Sequence, residues 1–254
     1  MRLDAALVKR GLADSRSDAS RMIEAGHVTV GGAFANKSSR MISAEEPIEV
    51  IVAKRFVSRG GEKMLHALEH FGVSVEGRSV LDAGVSTGGF TDCVLQRGAA
   101  RVFGVDVGRN QLHENIKSHP LVEWRDGVNV RDMGRSDLPF ACSLVVADLS
   151  FISLTKVLSA LMDVVSPEVG FDMPSMVLLV KPQFEAGRVE VSRGKGVITD
   201  PAIHAEACAL VAETVEGLGG RVVGVVESPI KGAEGNTEFL MYVECLTRSV
   251  GCES

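Results

Sequence analysis

Four charged residues stand where charge is expensive. Asp148 follows the apolar run 144–147, Lys181 follows 176–180, and Glu238 precedes the apolar run that begins at Phe239. Lys63 opens a helix with Leu65, Leu68 and Phe71 along it. A charge beside a buried run is costly unless it is paired. Together the four predict two cations facing two carboxylates at the carboxyl edge of a sheet, a set able to orient a reacting group and handle its proton. Ion pairing that only holds the fold accounts for any one of them taken singly. All four at one edge point to a site.

A second constellation lies in Leu81-Asp82-Ala83-Gly84-Val85-Ser86-Thr87-Gly88-Gly89-Phe90-Thr91, a strand end running into a helix. Gly84, Gly88 and Gly89 let backbone approach a ligand closely, and a loop before a helix start welcomes a negative group. The G-x-x-x-G-G spacing is neither the dinucleotide fingerprint nor a P-loop, since GK[ST] is absent. Asp82 before the first glycine suits a class I methyltransferase. There the loop wraps the methionine part of S-adenosylmethionine, whose amino group takes a carboxylate. Asp106, ending Gly104-Val105-Asp106, is suited to accept both ribose hydroxyls, by the geometric logic of dinucleotide folds. Asp126 or Asn129 would accept from an adenine amino group, and Asp148 lies at the same edge. The expected cofactor set is therefore Asp82, Gly84, Ser86, Thr87, Gly88, Gly89, Phe90, Asp106, Asp126, Asn129 and Asp148. A purely structural glycine turn is the alternative.

These residues need a scaffold. Strand-like runs at 79–81, 102–105, 144–147, 176–180, 221–226 and 240–243 alternate with helical stretches at 89–97, 111–118, 154–165 and 202–218. Such alternation predicts an α/β fold, a parallel sheet covered on both faces, with ligands at the carboxyl ends of its strands.

The chain has 254 residues, of which 45% are hydrophobic and 24% charged, an ordinary globular composition. No apolar run reaches the roughly 18–20 residues of a membrane helix, and the start has no signal-peptide apolar region. Five cysteines, widely spaced and without a CxxC pair, point to free thiols in a reducing cytoplasm rather than to a zinc site or a disulfide framework. The first 63 residues carry a net charge of +3 and the remainder −9, within a total of −6. A basic head before an acidic body is a weak footprint of nucleic-acid binding.

The head reads as two short helices and a few strands. Leu3, Ala6 and Leu7 share a helical face ended by Gly11. Ser15 caps a second helix, with Asp18 as its partner, and Ala19, Met22 and Ile23 form its stripe. Residues 27–30 and 47–52 read as strands, with Gly31-Gly32 as a turn. Solvated helix faces account for the cations if they are read alone. The expected organisation is a head at 1–53, a linker at 54–61 and a second domain at 62–254.

The order of pieces in the head, RLDxxLxxxGLxxSRxxAxxxIxxGxVxVxG, resembles the S4 RNA-binding domain. VSRGGEK, LDAGVSTGGFT, DVGRNQL, VVADLSFISL, VKPQFE, GKGVITDP and SPIKGAEGNTEFL extend the likeness over nearly the whole chain. The sequence resembles the TlyA (hemolysin A-like) family of ribosomal RNA 2′-O-methyltransferases, whose catalytic domain is FtsJ-like. The resemblance implies a class I, Rossmann-like, S-adenosylmethionine-dependent methyltransferase domain behind a small α+β S4-like domain. It implies a catalytic Lys-Asp-Lys-Glu tetrad at Lys63, Asp148, Lys181 and Glu238. It also implies that RNA is gripped through Arg2, Lys9, Arg10, Arg16, Arg21, Lys37, Arg40, Arg55 and Arg59, with Arg188, Arg193 and Lys195 as further contributors. The family's usual glycine after DVG is Asn110 here. The short ends resemble the subtype associated with large-subunit RNA. By this reading Lys181 orients a cytidine 2′-hydroxyl and takes its proton, with Lys63 steering the oxygen and Asp148 and Glu238 bracing the lysines. Phe151 either stacks on a ring or packs in the core.

Three other readings compete. A membrane-lytic protein finds no support in apolar runs. A non-catalytic RNA-binding protein would not need the tetrad. A small-molecule methyltransferase would leave the head without a purpose.

Overall fold

The computed structural model describes residues 1–13, 15–51, 55–171, 173–186, 196–232 and 234–246. The chain divides into two units, Met1–Arg55 and Phe56–Ser254.

In the first unit, α1 (Leu3–Lys9) and α2 (Arg16–Glu24) pack on a small antiparallel sheet of β1 (Val28–Val30), β2 (Ala33–Phe34) and β3 (Ile48–Val50), ordered β2-β1-β3. The helix stripes meet the strands in one core of Leu3, Ala6, Leu7, Ala19, Ile23, Val28 and Val30. Ser15 caps α2 by accepting from the Asp18 N–H at 3.1 Å.

The second unit is built on a seven-stranded sheet ordered β6-β5-β4-β7-β8-β10-β9. Its strands are β4 (Ser79–Ala83), β5 (Arg101–Asp106), β6 (Val122–Asp126), β7 (Leu144–Ala147), β8 (Ser175–Val180), β9 (Gly220–Glu227) and β10 (Phe239–Cys245). Its helices are α3 (Gly60–Phe71), α4 (Gly89–Gln96), α5 (Glu114–Lys117), α6 (Leu158–Val164), α7 (Pro182–Glu185) and α8 (Pro201–Gly217). Two buried clusters share the central strands, whose alternate residues face opposite ways.

Two expectations need correcting. The sheet is not wholly parallel, because β10 runs antiparallel to both β8 and β9. A direct loop joins β9 to β10, and parallel neighbours would need a longer crossover. Within the stretch 54–61 expected as a linker, Phe56 is buried in the core of the second unit, and Gly60 and Gly61 form the first turn of α3. A Cβ on Gly61 would fall within 2.2 Å of the Phe56 ring, so glycine lets these two segments touch.

Candidate active site

The sheet order brings the four charged residues to one rim. Asp148 follows β7 and Lys181 follows β8, its parallel neighbour. On the other side of β8, Phe239 pairs with Val180, so Glu238 lies beside Lys181 where β10 begins. Lys63, in the first turns of α3, reaches the same rim by bonding to Glu238.

The four form two ion pairs. Lys63 Nζ donates to Glu238 Oε2 at 2.5 Å, with both side chains at most a tenth exposed. Lys181 Nζ lies 2.6 Å from Asp148 Oδ1 and donates to Ser150 Oγ at 2.8 Å. Lys181 is buried, whereas the Asp148 side chain is a quarter exposed. Charges held this deep persist because each has an opposite charge in contact.

A cavity of about 540 Å³ adjoins Asp148 and is lined also by Gly84, Ser86, Asp106, Asn129 and Phe151. Gly84 sits at φ +86°, and a Cβ there would come within 2.5 Å of the Asp148 carbonyl oxygen. Only glycine lets the β4 and β7 loops approach this closely. Asp106 fixes the opposite wall, accepting from Ser86 N–H at 2.8 Å and Gly108 N–H at 2.7 Å. Each of its oxygens keeps acceptor capacity for a further donor, such as a hydroxyl.

Other expected cofactor residues have different surroundings. Asp82 is fully buried, and its Oδ2 accepts from Thr91 Oγ1 at 2.6 Å while Oδ1 has no partner. Burial pushes its carboxyl up to about 7, against the downward pull of the Thr91 bond. Its bond to Thr91 ties the end of β4 to α4. Phe90, in the first turn of α4, is a core residue. Gly88 and Gly89 are packing glycines, since a Cβ on them would meet Ile116 at 3.0 Å and Ser58 Oγ at 2.1 Å. Thr87 is exposed, and its carbonyl accepts from His113 N–H. Asp126 accepts from the Asn110 N–H at 2.7 Å, which ties down the loop after β5. That bond holds Asn110 in its left-handed φ of +58°, where the family's glycine is absent. Asn129, by contrast, lines the cavity.

Two contributors were missed. Ser150 bonds Lys181, and Gln111 lines the cavity while accepting from Ser86 Oγ at 3.3 Å. Ser150 had a signal, a hydroxyl two residues after a rim carboxylate. Gln111 had none.

In the first unit, Arg2 and Arg16 both pair with Asp4. Arg10 donates to the carbonyls of Ala44 and Glu46, Arg21 pairs with Asp18, and Arg40 pairs with Glu46. Lys9 and Lys37 are exposed, as are Arg55 and Arg59 in their respective units. The Arg59 guanidinium donates to the Lys231 carbonyl. Arg188, Arg193 and Lys195 lie outside the described residues.

Comparison with known proteins accords with both units. A family model described as FtsJ-like methyltransferase matches residues 56–245, and an S4 domain model matches residues 1–48. The 16S/23S rRNA (cytidine-2′-O)-methyltransferase TlyA of Mycobacterium tuberculosis is 42% identical over 97% of this chain and 90% of its own length. The 23S rRNA (cytidine-2′-O)-methyltransferase TlyA of Campylobacter jejuni is 31% identical over 76% of this chain and 72% of its own. A crystal structure from Lactococcus lactis, named a hemolysin, superposes with a TM-score of 0.72 at 40% identity, over 76% of this chain and 90% of that one. With an S4 domain ahead of an FtsJ-like methyltransferase domain, and this degree of likeness along its length, the chain belongs to the TlyA family.

Proposed function

We propose that this chain transfers a methyl group from S-adenosylmethionine to the ribose 2′-oxygen of a cytidine in ribosomal RNA, with the large-subunit RNA favoured. The observation that carries this reading is the two ion pairs, buried Lys63–Glu238 and half-buried Lys181–Asp148, at a rim that opens on a cavity lined by Asp148 itself. The activities of the Mycobacterium and Campylobacter relatives suggest the substrate class, and that of the Campylobacter protein supports the large subunit.

The cavity suits the proposed donor. Gly84 lets the β4 and β7 loops close one wall of the cavity, Asp106 retains acceptor capacity for ribose hydroxyls, and Asn129 offers polar atoms to an adenine edge. When bound, S-adenosylmethionine supplies a methyl group on a positively charged sulfur. A 2′-hydroxyl is a very weak acid and needs help to attack that carbon. Lys181, steadied by Asp148 and Ser150, is proposed to hold the 2′-oxygen in line and take its proton. Lys63, braced by Glu238, would steer the same oxygen. The O–C bond forms as the C–S bond breaks, so alignment supplies much of the rate.

The head is proposed to grip folded RNA by its phosphates and shape, through its basic helix face and Lys37. Work on ribosomal RNA fits a cytoplasmic protein. Among the described residues no helix is long and apolar enough to cross a membrane, so the hemolysin name of some relatives finds no helical membrane span to rest on. The deciding experiment is transfer of labelled methyl to isolated ribosomal subunits, followed by mapping of 2′-O-methylated nucleotides. A label on one cytidine of the large-subunit RNA is expected. No label on either subunit would overturn the reading.

A further inference from the structure

In the first unit Arg21 pairs with Asp18 and Arg40 with Glu46. Asp4 differs, because two guanidiniums converge on it. Arg2 donates from Nε to Oδ1 at 3.1 Å and from Nη2 to Oδ2 at 3.0 Å. Arg16 donates from Nη2 to the same Oδ2 at 2.8 Å, and the Ala5 N–H fills Oδ1 at 2.8 Å. The Asp4 side chain is only 5% exposed, whereas the two arginine side chains are 46% and 60% exposed. The anion is therefore inside and both cations are outside, with a net positive charge left over. The Arg2 hydrogen bond, then that of Arg16, holds the Asp4 carboxyl well below the usual carboxylate range, so the anion persists at any working pH.

The backbone extends this cationic spot. Leu3 N–H donates to the Arg40 carbonyl and Asp4 N–H to the Ser38 carbonyl, so residues 37–40 run alongside the start of α1 and bring in exposed Lys37. Arg2 spends two of its five N–H bonds on Asp4 and Arg16 spends one, which leaves both forks with donors facing water. A planar fork with free donors is the geometry that binds a phosphate in two-point fashion.

We propose that Asp4 is a positioning residue for RNA. It holds Arg2 and Arg16 as a preformed clamp for one backbone phosphodiester, with Lys37 serving the next. This rests on the reading of the head as the unit that grips ribosomal RNA. Asp4 makes no contact with RNA itself. Its effect is to remove in advance the rotamer freedom that two long side chains would otherwise lose on binding.

The inference has a sign that simple electrostatics does not share. Asp4→Asn removes a negative charge beside a polyanion, so charge alone predicts tighter binding. The clamp predicts weaker binding, because an amide N–H would face the guanidinium N–H groups and release both arginines. The full chain is titrated with isolated large ribosomal subunits over a range of salt. Asp4→Asn is expected to bind about tenfold more weakly, with a slope of log affinity on log salt shallower by about one ion. Affinity equal to or tighter than the parent chain overturns the clamp. If thermal melting shows that Asp4→Asn unfolds the head, Arg16→Lys decides instead. It keeps the charge and loses the fork, so weaker binding supports the clamp and unchanged binding overturns it. The double variant Arg2→Ala with Arg16→Ala separates the two layers. Unchanged affinity in that double sinks the RNA-gripping reading itself. A weakened double with a strengthened Asp4→Asn sinks only the clamp.

Discussion

Lys63 and Glu238 stand 175 positions apart in the chain and meet at 2.5 Å, both buried. The pair ties the first turns of α3 to the start of β10, so it holds the fold as well as the rim. Removing one member leaves the other charged and uncompensated. Lys63→Ala is expected to cost about 3–5 kcal/mol of unfolding free energy, and the double change Lys63→Met with Glu238→Gln to recover most of it. Urea denaturation of the two variants checks this. Equal losses in both would show that the ion pair is not what the single change breaks.

Lys181→Ala bears on chemistry more than on stability. The lost amine should lower methyl transfer by about a hundredfold or more, while calorimetric affinity for S-adenosylmethionine stays near that of the parent, because the cavity wall at Gly84 and Asp106 is untouched. Normal turnover would remove Lys181 from the mechanism.

Asp82 gives a pH signature. Its folded carboxyl is pushed up to about 7 by burial, from an ordinary 3.8. Over that interval the folded chain keeps a proton that the unfolded chain has released. The resulting stability is fully present below the unfolded value and is lost as pH rises through about 7. Asp82→Asn should flatten this part of the stability profile, measured as urea midpoints from about pH 4 to 8. An unchanged slope would assign the pH dependence to other groups.

Phe151 is an aromatic residue with 92% of its surface exposed and a backbone φ of +64°. Its ring centroid lies 5.4 Å from that of Phe184. A bulky residue in the left-handed region costs about 1–3 kcal/mol, a strain typical of functional sites. Packing in the core, one of the two roles read for it, is ruled out by this exposure. Stacking on a base of the RNA is the expected role, and base–aromatic stacking is worth about 1–3 kcal/mol. Phe151→Ala should raise KM for RNA about tenfold, a larger effect than on donor affinity, since the ring also borders the cavity. A loss of donor affinity instead would place the ring against the cofactor.

The rim was legible because a charge next to an apolar run is costly, and Asp148, Lys181 and Glu238 each advertise that cost in the sequence. The central strands were legible from their apolar runs. Contacts between distant segments were not. The helix expected over 111–118 shrinks to Glu114–Lys117, because His113 caps it and Leu112 is buried against Gly88. The helix expected over 154–165 starts as a single 3₁₀ turn, Leu154–Lys156, and only then becomes α6. There Glu185, at the end of α7, accepts from Ser153 Oγ and from the Leu154 N–H. Asp126 and Asp82 were read only as ligand residues, and the structure adds bonds that the sequence did not show, from the Asn110 N–H and from Thr91 Oγ1.

The reversed strand has one more implication. Because β10 runs counter to its neighbours, Glu238 reaches the carboxyl rim as the residue that enters a strand, not one that leaves it. Its aim is therefore set by hairpin register. Moving the β9–β10 connection by a single residue would swing Glu238 to the opposite side of the sheet and offer Lys63 Thr237 or Phe239 in its place, according to direction. Loop length far from any reacting atom is thus under the same constraint as the tetrad.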